Sequence, residues 1–199
     1  RDLQTALVRS HAAGMGDPVE NEVVRAMILL RARTLALGSS GARPLVAQAM
    51  IDLLNAQITP MVPEYGSLGA SGDLAPLAHG ALALLGEGQV FYADAWRPAA
   101  EALDAAGLAP ISLVEKEGLA VTNGTDAILG MLCLAIDDSE RLLQQADMVT
   151  ALTVEGLLAT DGPFAADLQA LRPQPGQAIS AANLRAPLHD SPIVASHKI

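Results

Sequence analysis

The chain has 199 residues, 12 basic and 22 acidic, for a net charge of −10, and 51% of its side chains are hydrophobic while only 3% are aromatic. That is enough length and apolar content for one or two domains with a buried core, and far from the composition of an acidic disordered segment. The negative charge, without any Lys/Arg run, lacks the electrostatic footprint of a phosphate-backbone binder and disfavours nucleic acid as a partner. The lone Cys133 excludes an intrachain disulfide and a C-x-x-C metal cluster, and suits a reducing compartment.

Alanine and leucine, both strong helix formers, dominate the composition, and the expected class is mainly α. From Asp2 to about Ala13, Leu3, Leu7 and His11 recur at i, i+4 and i+8, which predicts an amphipathic helix with His11 on its inward stripe. Asp17-Pro18 supplies an N-cap and a proline at the first position of a second helix, whose stripe of Val19, Val23, Met27, Leu30 and Leu37 runs to Gly38. Gly38-Ser39-Ser40-Gly41 breaks that helix, and Pro44 opens a third through Leu45, Ala49 and Leu53. Pro60, Pro63, Gly66, Gly69 and Gly72 predict an irregular, tightly turning loop. Asp73-Leu74-Ala75-Pro76 then starts a helix whose positive pole faces the loop and which Gly86 and Gly88 close.

Gln89 to Trp96 reads as a small hairpin turning at Ala93-Asp94, followed by a short helix near Pro98 to Ala106. A second irregular piece leads to Asn123-Gly124-Thr125, from which a helical pattern runs to about Thr160, a length usual in helix bundles. Gly162-Pro163 ends it, and a last helix covers about Pro175 to Arg185. The segments are thus helices preceding an active loop (1–59), the loop region (60–124) and the start of a helical bundle (125–199). The most apolar stretches, Leu74 to Leu85 and Ala127 to Ala135, fall short of the roughly 20 residues that span a bilayer, so a soluble protein is expected. The abrupt opening Arg1-Asp2-Leu3 and the extended-looking apolar run from Ser191 to Ile199 read as cuts, so the chain is expected to be an internal piece of a longer one.

Chemistry concentrates between Gly66 and His79. A glycine-rich loop before a helix cradles a phosphate or makes a sharp connection, and the lysine a phosphate loop would carry is missing. What remains is Ala70-Ser71-Gly72, compressed between glycines. Gly72 has no Cβ, so its nitrogen can approach the Ala70 carbonyl carbon. Closing that ring, with loss of water from it and from the Ser71 side chain, leaves an exocyclic methylene on an imidazolone, an electrophile made from protein alone. The helix pole at Asp73 would stabilise negative charge developing when a nucleophile adds. Taken singly, His11 reads as a core histidine and Asn123 as an N-cap of the long helix. His79 reads as structural, His189 and His197 carry no argument, and Asp137-Asp138-Ser139-Glu140 reads as a solvated helix face.

The segment Gly66 to His79 resembles, residue by residue, the signature of the aromatic amino acid ammonia-lyases, whose prosthetic group, 4-methylidene-imidazol-5-one, is cyclised from Ala-Ser-Gly. Lys116-Glu117-Gly118-Leu119-Ala120 with Asn123-Gly124-Thr125 resembles the family's K-E-G-L-A-x-x-N-G-T at matching spacing. Ser10-His11-Ala12-Ala13-Gly14 is similar to the S-H-A-A-G of its histidine-specific members. One departure is Val121-Thr122, where a hydroxyl precedes the Asn-Gly-Thr and bears on pocket selectivity.

The resemblance covers essentially the whole chain, while the family's subunits are more than twice as long. It implies a long-helix bundle of the ammonia-lyase or fumarase-aspartase type, here an internal fragment, and elimination of ammonia from L-histidine to give urocanate. It implies Ala70, Ser71 and Gly72 as the electrophile, Asn123 hydrogen-bonding it and the substrate's reacting end, His11 with Ser10 facing the substrate imidazole, and Asp73 helping cyclisation. It implies no metal and no nucleotide, a homotetramer and a cytoplasmic location. The family's base is a tyrosine in a segment before residue 1 and further contacts follow Ile199, so Tyr65 and Tyr92 receive no such role and the fragment alone is expected to be inactive. The alternatives are a tyrosine or phenylalanine lyase or an aminomutase, differing at Ser10-His11, and a non-catalytic helical scaffold.

Overall fold

Residues 2–197 are described in a computed structural model, in which helices carry most of the backbone, as the composition predicts. Two compact units divide the chain, residues 1–134 and 135–199. The first contains helices α1 (Asp2–His11), α2 (Asn21–Ala36), α3 (Pro44–Asn55), α4 (Leu74–Leu84), α5 (Ala99–Ala105) and α6 (Glu117–Thr122). Its strands are short: β1 (Met15–Pro18), β2 (Thr59–Pro60), β3 (Pro63–Tyr65), β4 (Gln89–Tyr92) and β5 (Ala95–Pro98). The long helix α7 (Asp126–Gly156) begins in the first unit and runs into the second, which adds α8 (Ala166–Ala170), α9 (Pro175–Leu188) and α10 (Pro192–Ala195).

Local signals set several of these boundaries. Pro44 stands at the first turn of α3, where its missing N–H costs nothing, and Val46, Met50 and Leu53 follow on one buried face. Gly38, at φ +78°, ends α2 just past its last residues. Ala93 and Asp94 take φ of +49° and +57°, the paired left-handed turn that matches strand twist, and join β4 to β5 with Phe91 edge-on to Trp96. The core of the first unit is built from Val8, Val24, Met27, Val46, Leu53, Ile58, Leu113 and Val121, each worth about 1.5–3 kcal/mol in burial. In the second unit Ala151 and Val154 of α7 pack with Leu184, Leu188 and Val194.

Other expectations are corrected. Leu3 is 74% exposed and the buried residue of α1 is Val8, because α1 packs on α4 and α6 through that face and leaves His11 only half-buried. Asp17-Pro18 does not start a helix. Met15–Pro18 is extended and pairs antiparallel with β3, Val19 N–H donates to the Val62 carbonyl at 2.9 Å, and α2 begins three residues later. Prolines fit such short ladders, which need no donor from them. The loop expected over 60–72 is irregular only after Tyr65, since Thr59–Pro60 pairs with β4.

The second irregular piece contains α6, and Ser191 to His197 is not extended: Ser191 caps α10 by accepting from Val194 N–H, while Lys198 and Ile199 lie outside the described residues. The reading that every apolar stretch is too short for a bilayer also fails. Glu117–Gly156 is long and apolar enough by length and composition, because α6 extends the run upstream of Ala127 through the turn at 123–125.

Candidate active site

Ala70 and Ser71 form a turn closed by Leu68 N–H donating to the Gly72 carbonyl at 3.0 Å, between Gly69 at φ +76° and Gly72 at φ +74°. Gly72 is buried, and a Cβ there would stand 3.2 Å from Ile128 Cδ1 and 3.4 Å from Thr125 Cγ2. The left-handed backbone demands glycine at 72, and a Cβ there would in addition press on the end of the Ile128 side chain. Ser71 is half-buried and Ala70 exposed.

Asp73 is fully buried and occupies the N-cap position of α4, yet it makes no cap bond to that helix. Its Oδ1 accepts from Ser67 Oγ at 2.7 Å, and its Oδ2 accepts from Ile128 N–H at 2.9 Å. The carboxylate therefore serves the first turn of α7, where an N–H without a helical partner and the positive helix end favour it. Its own N–H donates to the carbonyls of Gly124 at 3.1 Å and Ser71 at 3.2 Å. The sequence places Asp73 at α4; the fold spends its charge on α7.

Asn123 closes α6 by donating its N–H to the Leu119 carbonyl at 3.0 Å. Since α7 starts at Asp126, Asn123 is not its N-cap. Its side chain is exposed, and the residue joins the triplet through the adjacent Gly124 carbonyl and Asp73 N–H. Thr122, the departure from the family pattern, is fully buried and donates its hydroxyl to the Gly118 carbonyl at 2.9 Å, so that hydroxyl is spent inside α6.

His11 Nδ1 lies 2.9 Å from the Leu7 carbonyl and 3.0 Å from Ser10 Oγ, which itself donates to that carbonyl at 2.8 Å. A carbonyl only accepts, so in the tautomer that makes this hydrogen bond Nδ1 carries the proton and Nε2 is left as an acceptor. His11 lines a cleft of about 560 Å³ with Met15, Tyr65, Gly66, Ser67, Leu68 and Leu74. The cleft thus takes in both flanks of the triplet, while Ala70, Ser71, Gly72 and Asn123 lie outside its lining. Tyr65 is exposed, and hydrogen bonding to Glu64, with that residue's charge, pushes its phenol up, the wrong direction for a base.

Behind the cleft, His79 Nε2 accepts from Gly14 N–H at 3.1 Å, and burial lowers its pKa from the ordinary 6.5. The neutral ring supports the fold above that unfolded value, and its support disappears as the pH falls through the depressed folded value. Gly14 amide exchange, corrected for intrinsic rate, is expected to accelerate as the pH falls below the ordinary histidine value of 6.5 and to lose that dependence in His79→Gln; an unchanged profile in the variant would refute the link.

Two buried groups escaped the sequence reading. Glu117, fully buried, accepts from the Arg43 backbone N–H at 2.9 Å, Arg43 Nε at 2.8 Å, Arg43 Nη2 at 2.9 Å and Val114 N–H at 2.8 Å. Burial would raise its carboxyl, but those hydrogen bonds and the Arg43 charge outweigh it and hold the pKa down at about 2. Arg31 is the other. It shares the buried register of Val24, Met27 and Ile28 on α2, and a charge in such a stripe is the one signal that marks a buried partner.

The family described as aromatic amino acid lyase matches residues 1–199. The chain is similar to histidine ammonia-lyase of Streptomyces coelicolor, 57% identical over 98% of this chain and 38% of the relative. In structure it is similar to phenylalanine aminomutase of Pantoea agglomerans, with a TM-score of 0.90 at 34% identity over 96% of this chain and 37% of the other. It is likewise similar to histidine ammonia-lyase of Trypanosoma cruzi, with a TM-score of 0.88 at 38% identity over 96% and 38%. The chain therefore spans about 38% of the length of the Streptomyces relative.

Proposed function

The chain belongs to the aromatic amino acid lyase family, and from that premise we propose that it is the electrophile-bearing part of an ammonia-lyase that converts L-histidine to urocanate. The observation that carries the choice of substrate is the pairing of His11 Nδ1 with the Leu7 carbonyl. With Nδ1–H committed to the Leu7 carbonyl, Nε2 is an acceptor in the cleft beside the triplet, suited to the N–H of a substrate imidazole. Phenylalanine has no donor for it. Relatives named histidine ammonia-lyase reach 57% identity, whereas the phenylalanine aminomutase stands at 34%.

The residues present fit the family's prosthetic group. Ala70-Ser71-Gly72 already forms a closed turn with glycine where the backbone demands it, and the three residues would themselves become the 4-methylidene-imidazol-5-one, with no metal or nucleotide. The group supplies an electrophilic methylidene carbon. Asp73, buried with its carboxylate accepting from Ser67 and Ile128, shapes the loop for cyclisation. Asn123 offers an exposed amide to the substrate's reacting end, and Ser10 holds the His11 ring. The base and the remaining contacts are assigned to other segments of the longer protein.

Full-length protein is expected to release ammonia from histidine far faster than from tyrosine or phenylalanine, and His11→Leu to lower kcat/KM for histidine by about tenfold. Tyrosine preference, or an unchanged rate in the variant, would overturn the assignment. Leu132, Ile136, Leu142, Leu143, Met148 and Leu152 are exposed along α7, an apolar face for the rest of the subunit or for neighbouring subunits to cover, which fits a homotetramer; a monomeric full-length protein in sedimentation would contradict it. The unpaired Cys133 suits a reducing cytoplasm.

A further inference from the structure

Asn123 stands in the short junction between α6 and α7, and that junction is held from two sides. On one side Asp73 donates to the Gly124 carbonyl and accepts from Ile128 N–H. On the other stands Arg31 of α2, only 5% exposed. Its Nη1 donates to the Ala120 carbonyl at 3.1 Å and its Nε to Asp126 Oδ2 at 3.0 Å, with Nη2 on the same carboxylate. Ala120 precedes Asn123 by three residues and Asp126 follows it by three.

Between those two points the guanidinium crosses Gly124. A Cβ built at 124 would overlap Arg31 Nη2 and Asp126 Oδ2 and lie 2.7 Å from Arg31 Cζ. Gly124 is not among the residues with positive φ, so the backbone there would accept any side chain. The Arg31–Asp126 pair packed against it is what requires glycine. A planar, rigid fork fixes both attachment points together, which the single ammonium of lysine cannot do.

We propose that Arg31 is the positioning residue for Asn123: by bridging the Ala120 carbonyl and Asp126 across Gly124, it sets where the Asn123 amide stands relative to Ala70-Ser71-Gly72. The proposal rests on the role given to Asn123 above. Arg31 meets no substrate; it acts through the backbone of the junction.

In the full-length enzyme, Arg31→Lys keeps a cation opposite Asp126 and loses the second attachment. The expected result is an unchanged loss of water in the intact mass, KM within about threefold of wild type and kcat lowered by about a hundredfold. Gly124→Ala displaces the guanidinium with both charges kept, so it carries the same test should Arg31→Lys fail to fold, and the same split is expected. In an Asn123→Ala background either substitution should cost less than about threefold more, because the residue it positions is gone. Wild-type kinetics in both variants, or an equal loss of kcat in the Asn123→Ala background, would overturn the proposal. The assay uses whichever amino acid the wild-type protein turns over, so inactivity toward histidine alone would overturn the substrate assignment while the Arg31 comparison keeps its force.

Discussion

Ser71→Ala in the full-length protein is expected to lower ammonia release by at least about a thousandfold while leaving the fold intact. The hydroxyl is the group whose loss would create the methylidene, so its removal eliminates the electrophile at its source. The fold has little stake in it. Ser71 is half-buried, and the hydrogen bond it contributes to the loop uses its carbonyl, which accepts from Asp73 N–H and persists in alanine. Intact mass separates the two forms. Wild-type protein should be lighter than its encoded sequence by two waters, one from ring closure and one from the serine, and the variant should lack the dehydrated form. A Ser71→Ala protein with wild-type turnover would refute the electrophile.

Glu117→Ala should produce the largest loss of stability, about 2–3 kcal/mol, because buried backbone donors lose their acceptor while the part-exposed Arg43 stays solvated. It leaves the guanidinium of Arg43 without its counter-charge and strips the Val114 and Arg43 N–H groups of their shared acceptor. These bonds join the start of α3 to the start of α6, where Lys116 takes φ +69°, so loosening them loosens the helix that ends at Asn123. The pH dependence has a definite sign. Because the folded carboxyl titrates at about 2 and the ordinary value is 4.5, the stabilisation is complete above 4.5 and is lost as the pH falls toward 2. Urea midpoints measured from pH 7 to pH 2 should fall in wild type and change less in Glu117→Gln, which starts lower. Equal midpoints at neutral pH would show that Glu117 contributes nothing beyond its volume.

Much of this protein can be read without coordinates, and the reason is locality. Pro44 opens α3, Gly38 closes α2, and Ala93-Asp94 turns the hairpin, because each acts on its own backbone and needs no distant partner. The tight turn within Gly66 to Asp73 was legible for the same reason: it is closed inside the loop itself, by Leu68 N–H on the Gly72 carbonyl. The extent of α7 followed from an unbroken helical pattern.

What the tertiary structure alone decided involves partners far apart in sequence. Met15–Pro18 is a strand and not a helix start because Pro63–Tyr65 lies beside it. Val8 and not Leu3 is the buried residue of α1 because α4 and α6 choose the face they cover. Asp73 looks like the cap of the helix that follows it, yet its carboxylate goes to Ile128, 55 residues on; Arg31, whose spacing signals only that some buried partner exists, closes on Asp126, 95 residues on. A buried charge has to find its counter-charge or its donors wherever the fold brings them. Periodicity and capping report which local conformations a segment favours, and they hold no record of which distant group will meet it once the chain is packed.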